Sequence, residues 1–138
     1  MTINTNNIGL AGEFLVMSHL WANNLPAITT PESSPIDIFI VQPSGKKISI
    51  QVKTASQPME LKRNENNYWR YAYRLTRTGH SKYYIKYADD VEMFALVALD
   101  IKKIAFIPHN KNITSKTLTE SDFDKNRYSF ISCLKDLE

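Results

Sequence analysis

A chain of 138 residues, 43% of them hydrophobic, is enough for one compact core, and a single domain spanning 1–138 is expected. No apolar stretch approaches the roughly 18 residues a membrane span needs, and the opening Thr-Ile-Asn-Thr-Asn-Asn has no basic segment leading into an apolar one, so the expectation is a cytoplasmic protein without a membrane partner. Cys133 is the only cysteine and His19, His80 and His109 are scattered, which excludes an internal disulfide and a Cys/His zinc cluster, while a net charge of +3 permits an acidic partner without demanding one.

Asn6 or Asn7 can cap a helix from Ile8 to Asn23, in which Leu10, Ala11, Phe14, Met17, Ser18 and Trp21 recur at spacings of three and four. Glu13 then falls on the edge of that apolar stripe, an unusual place for an acid. A short strand at Ala27–Thr29 leads into the proline-bounded loop Pro31–Pro35. The next segment, Ile36–Val41, the turn Pro43-Ser44-Gly45-Lys46 and Ile48–Thr54, reads as a hairpin. In its second strand Ile48, Ile50 and Val52 share one face, and Ser49, Gln51 and Lys53 share the other.

Residues 57–67 read as an exposed excursion, followed by a strand at Tyr68–Leu75 and a break at Gly79-His80. Ser81–Ala88 reads as a short helix or loop, Val91–Leu99 as a buried strand and Ile104–Pro108 as its hairpin partner. The tail carries turn residues through Asp124-Lys125-Asn126 and then an amphipathic Tyr128–Leu137, which suits a closing helix. From Leu61 to Ala88 the basic residues Lys62, Arg63, Arg70, Arg74, Arg77, Lys82 and Lys86 face the single acid Glu65. Charge runs are usually solvated surface. Here Arg70, Arg74 and Arg77 interleave with Tyr68, Trp69, Tyr71 and Tyr73, which suits phosphate contacts beside stacking contacts; Lys62, Arg63, Arg70, Arg74, Arg77 and Lys82 are the candidate DNA-binding residues.

Asp37 and Lys53 interrupt an otherwise apolar hairpin at a cost in free energy that something must offset. One offset is a cross-strand ion pair. The other is a divalent cation with a phosphate. Asp37 supplies a carboxylate, Gln51 a neutral side-chain oxygen and Val52 a backbone carbonyl, which together suit a hard cation, Mg²⁺ or Mn²⁺. Lys53 suits transition-state charge or the orientation of a water, and Glu13 completes an acidic edge if the first helix packs on the hairpin.

Pro35-Ile36-Asp37, followed after thirteen residues by Gln51-Val52-Lys53, resembles the signature of the PD-(D/E)XK nuclease superfamily, and Gly12-Glu13 resembles its upstream acidic motif. The likeness continues through Tyr87–Leu96 and Ile104–Pro108, and is similar to small members related to archaeal Holliday-junction resolvases and to a group I intron homing endonuclease of this fold. It implies an α/β, restriction-endonuclease-like αβββαβ core with a mixed central sheet flanked by helices, and Mg²⁺-dependent endonucleolytic hydrolysis of DNA by a homo-oligomer. By the same resemblance Asp37 is the central metal ligand, Gln51 stands at the usual Asp/Glu position, Lys53 is the catalytic lysine and Glu13 the helix acid. Glutamine at position 51 removes one negative charge from the metal site. It occurs at this position in the intron-endonuclease branch, and it also motivates the alternative of a catalytically silent nucleic-acid-binding or interaction module that keeps the fold.

Overall fold

The computed structural model describes residues 4–30, 36–78, 84–86 and 91–137, and for 77–78 and 84–86 the backbone alone. Helix α1 (Thr5–Ala22) begins three residues earlier than the apolar spacing predicts. Asn4 is its cap in place of Asn6 or Asn7, with its side chain accepting from the Asn6 N–H at 2.8 Å. The predicted stripe is corrected as well. Gly12, Val16 and Leu20 are the buried residues, while Leu10, Phe14 and Trp21 are about half exposed. Apolar residues run around most of this helix, so periodicity alone does not choose a face. Gly12 chooses it: a Cβ there would overlap the Thr54 hydroxyl, so only glycine lets the helix lie this close to the sheet.

Strands β1 (Ala27–Thr29), β2 (Ile38–Val41), β3 (Lys47–Ala55), β8 (Met93–Ala98) and β9 (Lys103–Pro108) form one sheet in the order β1-β2-β3-β8-β9. All neighbours are antiparallel except β3 and β8, which run parallel with Gln51 opposite Phe94 and Lys53 opposite Leu96. The sheet is therefore mixed, as expected. A parallel pair needs a long crossover, usually a helix. The described residues between β3 and β8 instead hold strands β4 (Met59–Arg63), β5 (Asn66–Arg74), β6 (Thr76–Thr78) and β7 (Tyr84–Lys86). The predicted excursion at 57–67 is thus a hairpin whose turn, Asn64-Glu65, has positive φ at both residues (52° and 67°). Of the predicted helix or loop at Ser81–Ala88, Tyr84–Lys86 is strand and the rest lies outside the described residues, as does the Gly79-His80 break.

Two apolar layers hold the sheet. Alternation along β8 sends Met93, Ala95 and Val97 into a core with Val16 and Leu20 of α1 and with Phe130 and Cys133 of α2 (Phe130–Asp136). Phe94, Leu96 and Ala98 point the other way, into a second core with Tyr71 and Tyr73 of β5, Leu118 of β10 (Ser115–Leu118), Phe123 and Tyr128. Strand β10, unforeseen in the sequence, pairs with β5 at Tyr71–Arg74. No described helix is long and apolar enough to cross a membrane.

Candidate metal centre

The register carries the polar side chains to one end of the sheet, between its two covering layers. Asp37 stands just before β2, where its N–H donates to the Ile50 carbonyl at 3.0 Å and its Oδ2 accepts from the Val52 N–H at 2.9 Å. Gln51 and Lys53 project from β3 toward the β5 layer, and Glu13 reaches in from α1 on the other side. These four line one cavity of about 500 Å³, together with Val52. Glu13 and Asp37 also line a second cleft of about 510 Å³ beside the first turn of α1, so the carboxylates stand between two openings.

The electrostatics are those of a site short of positive charge. Burial raises the pKa of Asp37, and the Val52 N–H, a hydrogen bond with the Glu13 side chain and the Lys53 charge only partly offset that rise. A hydrogen bond between two carboxyl groups needs a proton between them. A divalent cation can take that proton's place. Burial likewise lowers Lys53, to about 8, with the Asp37 charge raising it and the Arg74 charge lowering it further. Its Nζ donates to the Thr76 carbonyl at 3.2 Å. Gln51 Oε1 is buried in the described structure without a hydrogen-bond partner. Such an orphan costs free energy unless a ligand satisfies it.

Among the described residues no three of His, Cys, Asp and Glu gather around a common point. The donor set is two carboxylates and one neutral oxygen, with the Val52 carbonyl at the same cavity. That set fits Mg²⁺, which is commonly held by one or two carboxylates with waters and substrate phosphates completing its shell.

The candidate DNA-binding residues divide by element. Lys62 and Arg63 are exposed on β4, Arg70 and Arg74 stand on β5, Arg77 belongs to β6, and Lys82 lies outside the described residues. Sequence reasoning placed Arg74 in the basic block and missed its place beside Lys53. It also missed Met59 and Ala72, which line the site cavity, and the Thr76 carbonyl that holds Lys53. No local signal reports these neighbours, because they are 19 or more residues from Lys53 or come from a segment with no predicted strand.

No protein-family model matches the chain, and no characterised protein matches it in sequence. Its structure is similar to that of the bacterial homing endonuclease I-Ssp6803I, with a TM-score of 0.64 and 14% identity over 90% of this chain and 84% of that one. It also matches the Holliday junction resolvase Hjc of Archaeoglobus fulgidus, with a TM-score of 0.40 and 17% identity over 79% of this chain and 88% of that one. The chain shares the mixed α/β fold of that homing endonuclease.

Proposed function

We propose that this chain is an endonuclease that hydrolyses DNA phosphodiester bonds with bound Mg²⁺ or Mn²⁺. The observation that carries the reading is the orphaned Gln51 Oε1, buried in the cavity that also holds Asp37, Glu13 and Lys53. Asp37 and Glu13 would hold the cation with Gln51 and the Val52 carbonyl. When bound, it would supply Lewis-acid polarisation of a phosphoryl oxygen and a more acidic water. Lys53 carries its proton up to about pH 8 and is tethered to Thr76, so its ammonium is positioned to stabilise charge building on the scissile phosphate. Arg74 adds positive potential beside it. Cutting both strands of a duplex with one site per chain calls for two chains or two events, and a homo-oligomer is part of the proposal. The single buried thiol of Cys133 suits a cytoplasmic setting.

The test is cleavage of linear, branched and single-stranded DNA with Mg²⁺ or Mn²⁺. Wild type should cut at least one of them, and Asp37→Ala and Lys53→Ala should each abolish cutting while remaining folded. Metal-dependent cutting retained in both purified variants would sink the assignment. A second reading, a silent DNA-binding module, rests on Gln51 replacing a carboxylate, which leaves two acids at the site. Calorimetric titration with Mn²⁺ separates the two, since no binding at millimolar metal favours the silent module.

A further inference from the structure

The β4–β5 hairpin is built unlike the rest of the molecule. Among the described residues Met59–Arg63 pair only with Asn66–Arg70, and β10 joins β5 only beyond that point, at Tyr71–Arg74. What projects is a two-stranded ribbon, five residues on each strand and about 17 Å long at the usual rise. It buries little: Lys62, Arg63, Asn66 and Asn67 toward the turn and Trp69 nearer the base are all exposed. A ribbon that contributes so little to the core, yet is held in register by a two-residue turn, is placed to meet something else.

The register sorts its side chains onto two faces. Met59, Leu61 and Arg63 share one face with Arg70, Tyr68 and Asn66 opposite them; Glu60 and Lys62 share the other with Trp69 and Asn67. The first face continues along β5 through Ala72 and Arg74. Met59 and Ala72 line the cavity of the candidate metal centre, and the Arg74 charge acts on Lys53, so this face runs directly out from the site. It carries Arg63, Arg70 and Arg74 and no acid, whereas Glu60 lies on the opposite face. Arg70 is also set in advance: its Nη1 donates to the Trp69 carbonyl at 2.8 Å and its guanidinium lies 4.9 Å from the centre of the Tyr68 ring. A two-stranded ribbon fits the major groove, about 12 Å wide, and not the minor groove at about 6 Å. Arginine and asparagine are the side chains that pair bidentately with guanine and adenine edges there.

We propose that the β4–β5 hairpin is the sequence-reading arm of this chain, seated in the major groove of a DNA duplex through the face bearing Arg63, Asn66, Tyr68 and Arg70. The inference rests on the endonuclease reading, because it places a duplex across the same site. Arg74 and Arg70 contact backbone phosphate between the site and the groove, and Arg63 and Asn66, at the tip, reach base edges. Lys62 and Asn67 face away from the bases.

The hairpin supplies its own control, since Arg63 and Asn66 form a cross-strand pair on one face and Lys62 and Asn67 a matching pair on the other. The preferred duplex is first selected from a random library by the full chain in EDTA, and binding is then measured for that duplex and for a scrambled one. Arg63→Ala and Asn66→Ala should each lower affinity for the preferred duplex by about tenfold relative to the scrambled one, and should relax selection at one or two base pairs. Asn67→Ala should leave the selected sequence unchanged, and Lys62→Ala should weaken both duplexes equally. All four positions are exposed, so melting temperatures should stay at the wild-type value. The proposal is overturned if Asn67→Ala relaxes selection as much as Asn66→Ala, or if Arg63→Ala and Asn66→Ala keep the wild-type preference. A wild type that cuts DNA without any sequence preference overturns the reading arm and leaves the endonuclease standing. A wild type that binds no duplex in EDTA or with metal overturns the reading arm, and one that in addition cuts no branched or single-stranded DNA removes both.

Discussion

Asp37 and Asp122 both accept a backbone N–H, and their surroundings drive their proton affinities in opposite directions. At Asp122 burial acts to raise the pKa but is outweighed by the Lys125 ammonium at 2.6 Å and by the N–H and hydroxyl of Thr119, so the carboxyl falls to about 2. Thr119 and Asp122 cap each other's backbone at the start of the 3-10 turn Glu120–Asp124, and the neighbouring Asp124 is paired with Lys103 at 2.7 Å. At Asp37 burial prevails over the Val52 N–H, the Glu13 contact and Lys53, and the pKa rises. One carboxylate is satisfied by the protein and serves to cap a turn. The other is grouped with a second acid and an orphaned amide oxygen, an arrangement stable only when something positive is added.

Neutralising the two aspartates should therefore have opposite consequences. Asp37→Asn keeps an oxygen for the Val52 N–H and discards the charge, so the metal-free protein should melt higher than wild type while cutting falls by roughly a hundredfold or more. The rise in melting temperature that Mg²⁺ or Mn²⁺ gives wild type should disappear with it. Asp122→Ala should cost about 1 kcal/mol, typical of a lost helix-terminus cap, and leave the metal-induced shift intact. Equal losses of stability in the two variants, read by urea denaturation without metal, would erase the distinction between them.

The Asp37 side of the comparison depends on where α1 holds Glu13, and Gly12 sets that height. Gly12→Ala should destabilise by about 1–2 kcal/mol, the clash with Thr54 outweighing the better helix propensity of alanine. It should also weaken metal binding, because lifting α1 withdraws Glu13 from Asp37. Thr54→Ala in the same chain removes the clashing hydroxyl, itself a buried oxygen without a partner in the described structure, and should restore both in part, since the Thr54 Cβ would still lie 2.9 Å from the added methyl. A double variant no better than Gly12→Ala would show that the close approach at Thr54 does not position the helix.

The gathering of the candidate residues was largely legible in the sequence because its logic is short-range. Asp37, Gln51 and Lys53 lie on one hairpin, where period-two alternation and a Pro-Ser-Gly turn fix which side chains share a face. The buried run Val91–Leu99 was legible for a similar reason, as an apolar stretch of strand length. What failed was long-range or ambiguous. Leu10, Phe14 and Trp21 keep helical spacing yet face outward, since Gly12, a residue with no hydrophobic signal, decides the packing. The segment 57–67 looked like a loop because Asn64-Glu65 is not a common turn pair and Glu65 takes a left-handed φ of 67° without being glycine. Arg74 reaches the neighbourhood of Lys53 only because β5 folds across the face that carries Gln51 and Lys53, a placement set by the second core rather than by any local pattern.

The smallest expected effect concerns the cation that Asp37 does have. Lys53 is held at about 8 against an ordinary 10.5, burial lowering it, Asp37 raising it and Arg74 lowering it again. Below about pH 8 folded and unfolded chains both keep this proton. Between 8 and 10.5 the unfolded chain keeps a proton that the folded one has released, so the Lys53 contribution to the stability of the metal-free protein should rise with pH there. Lys53 is partly exposed, so the slope should be well under the about 1.4 kcal/mol per pH unit of a fully coupled proton. The rise should end near pH 9, where the buried Cys133 thiol, pushed up to about 12 mainly by burial, keeps a proton that the unfolded chain loses; near pH 10 Tyr71, pushed up to about 12 by burial and Asp100, and Tyr73, raised mainly by burial, do the same, and stability then falls as pH rises. Lys53→Met should flatten the rise between pH 8 and 9 and leave the fall above it. Asp37→Asn, which withdraws the negative charge that favours the ammonium, should move the onset of the rise below 8, while Asp122→Ala should not move it at all. An onset unmoved by Asp37→Asn, in urea titrations at half-unit steps of pH, would mean that Asp37 and Lys53 do not feel each other across the site.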